Sequence, residues 1–190
     1  VVTVSGTAAE DQTLTASVTD EDGATGTIAY QWAQKSTNAT GVVTLTDIQG
    51  ATSSTYTLRQ SDVGFGIQVS VAFTDDLASA ETATSSASAN VTNVNDSPTG
   101  FVTITGTAAE DKVLTVSNTL ADEDGMGTVT YTWSTGATGN SITLGQSDVG
   151  STVTVTASYT DAYSATESVT SNSTSAVSNV DDTTLGDVTI

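Results

Sequence analysis

The chain has 190 residues, a length that suits one large domain or two small ones. It carries 22 acidic residues against three basic ones (Lys35, Arg59 and Lys112), a net charge of −19. So acidic a chain is not expected to bind nucleic acid or to insert into a membrane, and without Cys or His it offers neither disulfides nor the usual zinc ligands.

Short alternating segments predict strands along the whole chain. Apolar and polar residues alternate over 14–18, 28–32, 67–73 and 153–159, which is the pattern of half-buried strands. Thr makes up about a fifth of the residues and favours strands, and Gly-containing turns separate the segments. About seven short strands per half predict an all-β chain of two tandem immunoglobulin-like β-sandwich domains.

An internal repeat covers nearly the whole chain. The stretch 2–11 returns at 102–111, 20–23 at 122–125, 30–32 at 131–133, 60–64 at 146–150, 73–75 at 159–161, and 93–96 at 179–182. We therefore expect module 1 over 1–96, a linker over 97–100, module 2 over 101–182, and the start of a third, truncated copy over 183–190. The chain is expected to be a monomeric fragment of a long array.

The third predicted strand of each copy ends in a tryptophan, Trp32 or Trp133. A buried Trp on this strand is typical of immunoglobulin-like sandwiches, so we expect core packing rather than ligand stacking. Residues 33–54 follow in the first copy and are replaced by a much shorter stretch in the second. We expect them to form a surface loop.

Acidic and amide residues recur at the two ends of each predicted sandwich. Because neighbouring strands run in opposite directions, the loops after the first and fifth strands should lie at the exit end of module 1. The loops after the second and sixth strands should lie at the entry end of module 2, so we expect both sets at the junction between the modules. The residues expected at this junction are Glu10, Asp11, Asp62, Asn93, Asn95, Asp96, Asp122, Asp124 and Asp161. Their repeats at the outer ends are Asp20, Asp22, Asp75, Glu110, Asp148, Asp181 and Asp182.

Clustered carboxylates repel one another unless a cation lies among them, and no Lys or Arg is close in sequence. Oxygen ligands favour Ca²⁺ over Mg²⁺, which prefers octahedral sites and keeps its waters. The sequence therefore predicts calcium at the junction. The alternative stays open, because Asp and Asn are also turn residues and Asp-Glu-Asp-Gly makes a good turn unaided.

The ordered motifs resemble the immunoglobulin-like tandem repeats of giant bacterial RTX-type adhesins. The resemblance is carried by Gly-Thr-Ala-Ala-Glu-Asp (6–11), Asp-Glu-Asp-Gly (122–125), Gln-Ser-Asp-Val-Gly (60–64), Tyr-Thr-Asp (159–161) and Asn-Val-Asn-Asp-Ser-Pro (93–98). The connector 93–98 also resembles the calcium-binding linker of cadherins. The resemblance implies an extracellular, secreted protein of the bacterial cell surface and of biofilms, with Ca²⁺ at its joints.

The function expected from these patterns is a structural extender of such an adhesin, and not an enzyme, because Ser and Asp make no catalytic triad without a base. Its partners would be neighbouring repeats of the same chain, and the parent's receptor is unknown. The alternative is a carbohydrate- or protein-binding module that uses residues 33–54. Ice binding through rows of Thr is disfavoured, since outward Thr is ordinary on a sheet.

Overall fold

The structure, a computed structural model, describes residues 1–181. The chain divides into two compact units, Val1–Val94 and a second that begins at Asn95. Asn95 and Asp96 therefore belong to the second unit, although the repeat had assigned them to module 1. Asp182 and the predicted third copy over 183–190 lie outside the described residues.

The first unit is a sandwich of two antiparallel sheets. Its strands are β1 (Val2–Ser5), β2 (Thr13–Val18), β3 (Ala29–Thr37), β4 (Val43–Asp47), β5 (Thr55–Thr57), β6 (Gly66–Thr74) and β7 (Ala80–Thr84). One sheet has the order β1-β2-β5 and the other the order β4-β3-β6-β7. This is the strand arrangement predicted for an immunoglobulin-like sandwich.

The second unit repeats this arrangement without a counterpart of β4. Its strands are β8 (Val102–Thr105), β9 (Val113–Asn118), β10 (Thr130–Trp133), β11 (Ser141–Thr143), β12 (Val155–Thr160) and β13 (Thr166–Thr170). The sheets have the orders β8-β9-β11 and β10-β12-β13. A short 3₁₀ turn precedes the sixth strand of the first unit, at Gln60–Asp62, and its counterpart is Gln146–Asp148.

Each core is built around the tryptophan predicted to lie inside it. Trp32 and Trp133 are 0% and 1% exposed, and their indole N–H groups donate to Ser53 O and Gly139 O, both at 2.8 Å. The ring of Tyr56 stacks on Trp32 with 5.9 Å between centroids. Burying both rings with a satisfied N–H makes them packing residues, as predicted.

The prediction of a surface loop over 33–54 was wrong over 33–47, which forms strands and the turn between them. β3 continues to Thr37, and β4 pairs with it antiparallel to form a hairpin. The turn is closed by Asn38, whose Oδ1 accepts from the backbone N–H groups of Thr40 and Val42 at 3.0 and 2.8 Å. All five residues of β4 are exposed, although Val43 and Leu45 alternate with Thr44 and Thr46 as in a half-buried strand. Gln68 of β6, which pairs with Ala33 of β3, is buried.

Candidate functional site

The N-terminal end of the second unit is organised by Asp161, which follows β12 directly. Its Oδ1 accepts hydrogen bonds from the backbone N–H groups of Tyr163 at 2.8 Å and Ala165 at 2.9 Å. These bonds hold the tight turn into β13, in which Ser164 has a φ of 75°. The carboxylate is only 7% exposed and its position is fixed by the turn.

The second carboxylate oxygen of Asp161 has no hydrogen-bond partner. Among the buried side-chain oxygens and nitrogens of residues 1–181, Asp161 Oδ2 is the one for which the structure gives none. Buried polar groups in folded proteins are nearly always paired, because leaving one unpaired costs about 1–3 kcal/mol and more when it is charged. A cation at this oxygen would remove that cost.

Two further carboxylates come from the loop between β9 and β10. Asp122 Oδ1 accepts from the backbone N–H of Asp124 at 2.9 Å, and Asp122 Oδ2 accepts from the hydroxyl of Tyr159 at 2.5 Å. The backbone carbonyl of Asp124 accepts from Ala162 N–H at 3.2 Å, which ties this loop to the turn after Asp161. Contacts within the second unit thus bring the loop that carries Asp122 and Asp124 to the turn after Asp161.

The connector joins the same end of the second unit. The backbone N–H of Asp96 donates to Asp124 Oδ2 at 2.8 Å, and the Asn95 amide donates to Glu167 Oε1 at 2.8 Å. Asp124 is 2% exposed. Glu167, which is not among the predicted ligands, is half-buried and accepts this bond from Asn95.

The first unit carries an equivalent acidic end. Carboxylate oxygens of Asp20, Asp22 and Asp75 all lie within 4.8 Å of one another. Asp75 is buried, and its Oδ1 accepts from the backbone N–H groups of Leu77 at 2.9 Å and Ser79 at 2.7 Å, as Asp161 does in the second unit. The repeat therefore reproduces the geometry of the turn as well as its sequence.

Asp76 is an acidic neighbour that the sequence reasoning missed. Its Oδ1 accepts from the Thr25 hydroxyl at 2.6 Å, and its carboxylate lies so close to Gly23 that a Cβ on that glycine would be 2.2 Å from Asp76 Oδ2. The second unit has Ala162 at the corresponding position. Because Asp76 is not repeated in the second copy, a comparison of the two copies does not identify it.

The C-terminal end of each unit holds one buried glutamate. Glu10 and Glu110 are 2% and 4% exposed, and each accepts from a backbone N–H of the departing chain, Val94 at 3.4 Å and Val180 at 3.2 Å. With its amide oriented to satisfy both partners, Gln60 donates to both Glu10 oxygens at 2.7 and 2.8 Å and lies 3.2 Å from Asn93. The glutamates therefore anchor the departing chain of each unit.

Asp62 lies in the 3₁₀ turn and is completely buried. It accepts from the Gln34 amide at 2.7 Å, the Tyr56 hydroxyl at 2.7 Å and the Arg59 backbone N–H at 2.9 Å. Its counterpart Asp148 is half-buried and accepts from Gly145 N–H at 2.9 Å. Both carboxylates cap their turns, a role that accounts for them without a metal ion.

The remaining predicted ligands are more exposed. Asp11 lies in the loop before β2 with a φ of 60°, in the left-handed region that Asp tolerates. Asp181 is also exposed. The structure therefore separates the predicted ligands into buried, anchored carboxylates near each module's ends and exposed ones such as Asp11.

The donor set at the N-terminal end of the second unit fits a hard divalent cation. Asp96, Asp122, Glu123, Asp124 and Asp161 supply oxygen ligands only, which suit Ca²⁺ with its about six to eight oxygens. None of the three basic residues of the chain belongs to these loops. Within this set, Asp161 Oδ2 is a buried oxygen that has no hydrogen-bond partner.

Comparison with known proteins found no matching family model and no similar curated protein. The resemblance to adhesin repeats therefore stays a prediction from the motifs. Among the described residues there is also no helix of the length and apolar character that a membrane crossing would need.

Proposed function

We propose that this chain is a structural extender segment of a large bacterial surface adhesin, with calcium bound around the connector to stiffen the array. The observation that carries the proposal is Asp161 Oδ2, a buried and unpartnered carboxylate oxygen in a set of acidic residues. The connector supports the proposal, because it is bonded to the same end of the second unit. The Asp96 backbone N–H donates to Asp124, and the Asn95 amide donates to Glu167.

The placement of the charge suits an extender. The acidic sets lie where the chain enters a sandwich, and buried Glu10 and Glu110 hold the chain where it leaves. A cation at such a place acts on the connector rather than on the interior of the sandwich. Binding would release like-charge repulsion among the carboxylates and restrict the connector's conformations.

Titration calorimetry and small-angle X-ray scattering of the full chain, in millimolar Ca²⁺ and in chelator, test this proposal. We expect binding with a dissociation constant of about 10⁻⁴–10⁻³ M, as for other extracellular calcium modules, and a larger maximum dimension with calcium. Asp124→Asn should raise the calcium concentration needed for both effects, because it removes one ligand charge beside the connector.

Asp47→Asn is the matched control, since Asp47 is an exposed residue of β4 and the substitution removes the same charge. It should leave both responses as in the natural chain. Absence of calcium binding would overturn the metal part of the proposal. Binding without any change in scattering would overturn the extender role.

A second candidate function is a binding module that uses the β3–β4 hairpin. Val42, Val43 and Leu45 are 57%, 50% and 52% exposed there, and the second unit has no such hairpin. Exposed apolar residues in a group favour a contact surface. A binding module would lose its ligand if this hairpin were replaced, whereas an extender would keep its calcium response.

A further inference from the structure

We infer that Tyr159 is a positioning residue for the calcium site at the N-terminal end of module 2. Module 1 lacks this tyrosine, so we expect its own N-terminal site to bind calcium less tightly. The inference rests on the proposed function and specifies it further. It assigns a role to a side chain that is not itself acidic and that the repeat pattern had marked only as a core position.

Tyr159 lies on β12 and is 4% exposed. Its hydroxyl donates to Asp122 Oδ2, while Asp122 Oδ1 accepts from the Asp124 backbone N–H. Both oxygens of Asp122 are therefore held, one by each bond. The carboxylate has a single orientation before any ion arrives, and each oxygen keeps lone pairs with which to bind one.

Module 1 has Phe73 at the corresponding place. Both rings are buried, both are followed by Thr-Asp, and both are paired across the sheet with a glutamate, Glu81 or Glu167. If the ring served only to fill the core, phenylalanine would serve equally well in both modules. The phenol oxygen is the difference, and it is bonded to a predicted ligand.

Outer hydrogen bonds of this kind orient the ligands of metal sites, and their loss typically costs about 10- to 100-fold in metal affinity. A ligand fixed beforehand loses less conformational entropy when the ion binds. Asp161 Oδ2 supplies an independent sign of an ion at this end of the module, since it is buried and has no hydrogen-bond partner, and the turn after Asp161 is bonded to the loop of Asp122 through Asp124. We therefore expect Tyr159 to raise calcium affinity without touching the ion.

Amide NMR spectra of the full chain during a calcium titration would follow the two ends separately, through Gly125 in module 2 and Gly23 in module 1. Tyr159→Phe should weaken the apparent affinity reported by Gly125 by about 10- to 100-fold and leave that of Gly23 unchanged. The reciprocal variant, Phe73→Tyr, should tighten binding at Gly23 and leave Gly125 unchanged. This second variant keeps the inference testable if the first folds poorly.

Tyr131→Phe is the control, because Tyr131 is a tyrosine of the same module whose hydroxyl is bonded to the Asn118 amide rather than to a carboxylate. It should leave both affinities as they are. Unchanged affinity at Gly125 in Tyr159→Phe, with calcium still bound, would overturn the inference and leave the proposed function standing. No calcium response in the natural chain would overturn both.

Discussion

Aspartates that look alike in the sequence differ in what their oxygens bind. Asp62 and Asp161 are both buried, and both belong to motifs that occur in the two copies. Asp62 nevertheless accepts three hydrogen bonds, whereas Asp161 Oδ2 accepts none. The first carboxylate is explained by the turn that it caps. The second is explained only if a cation or another donor reaches it.

The bond between Tyr56 and Asp62 leads to a prediction about alkaline stability. Burial, followed by the hydrogen bond to Asp62, raises the pKa of the Tyr56 phenol above its ordinary value. Because the folded pKa exceeds the unfolded one, the resulting stability is complete below about pH 10 and is lost as the pH rises from there through the folded pKa. Tyr56→Phe should therefore lose less stability between about pH 9 and pH 11.

Urea unfolding followed by circular dichroism at several pH values measures this effect. Tyr163→Phe is the control, because Tyr163 is exposed and should contribute little. Equal alkaline losses in the natural chain and in Tyr56→Phe would show that the phenol is not held by Asp62 in the folded protein.

The residues that sequence reasoning missed share one property: their roles depend on partners from other strands. The Glu167 carboxylate accepts a hydrogen bond from the Asn95 amide, and the Tyr159 hydroxyl donates one to Asp122. No local pattern marks either bond. The sequence predicted Asp122, Asp124 and Asp161 because acidic residues in consecutive loops can be placed at one end of a sandwich from strand direction alone.

At the scale of elements, the strands with one buried face were predictable and the exposed one was not. The inward residues of β6 fill the core, whereas β4 buries no residue although Val43 and Leu45 alternate with threonines. Its pairing with β3 depends on the Asn38 turn and on backbone hydrogen bonds. The length difference between the two copies had favoured a loop over 33–54 in spite of this alternation.

The second unit shows how the first could do without its hairpin. The Trp133 backbone N–H donates to Ala137 O and its indole N–H to Gly139 O, where Trp32 uses Ala51 O and Ser53 O. A short turn thus supplies the same two acceptors. We predict that replacing residues 33–53 by residues 134–139 leaves module 1 folded.

The exchange removes Gln34, one of the three donors to the buried Asp62 carboxylate, and Ile48, which packs against the core, so we expect it to cost about 1.5–3 kcal/mol. Thermal unfolding measures the cost, and calcium titration of the same variant should match that of the natural chain. Loss of a cooperative transition for module 1 would mean that the hairpin is part of its folding unit rather than an addition to it.

At the scale of the whole molecule, the repeat made the architecture predictable. The contacts around the connector set the boundary between the two units. Two similar copies imply two similar sandwiches, and the structure has two compact units. The boundary falls before Asn95 rather than after Asp96, because both connector residues are bonded within the second unit. Sequence similarity alone cannot assign a connector to one side.

The net charge of −19 is a property of the same scale. We expect the carboxylates near the ends of the modules to repel one another, and a bound divalent cation to remove this repulsion. Calcium at about a hundredfold excess over its dissociation constant should stabilise the folded state by about 2.7 kcal/mol per site. The account therefore predicts a melting temperature that rises with calcium.

The most direct test is thermal unfolding of Asp161→Asn in calcium and in chelator, beside Asp47→Asn as a charge-matched control. The asparagine oxygen can still accept from Tyr163 and Ala165, and its amide replaces the unpartnered Oδ2. We predict a melting temperature in chelator no lower than that of the natural chain, together with loss of module 2's calcium stabilisation. An equal calcium-induced rise in Asp161→Asn and in the natural chain would contradict the claim that calcium binds at this carboxylate.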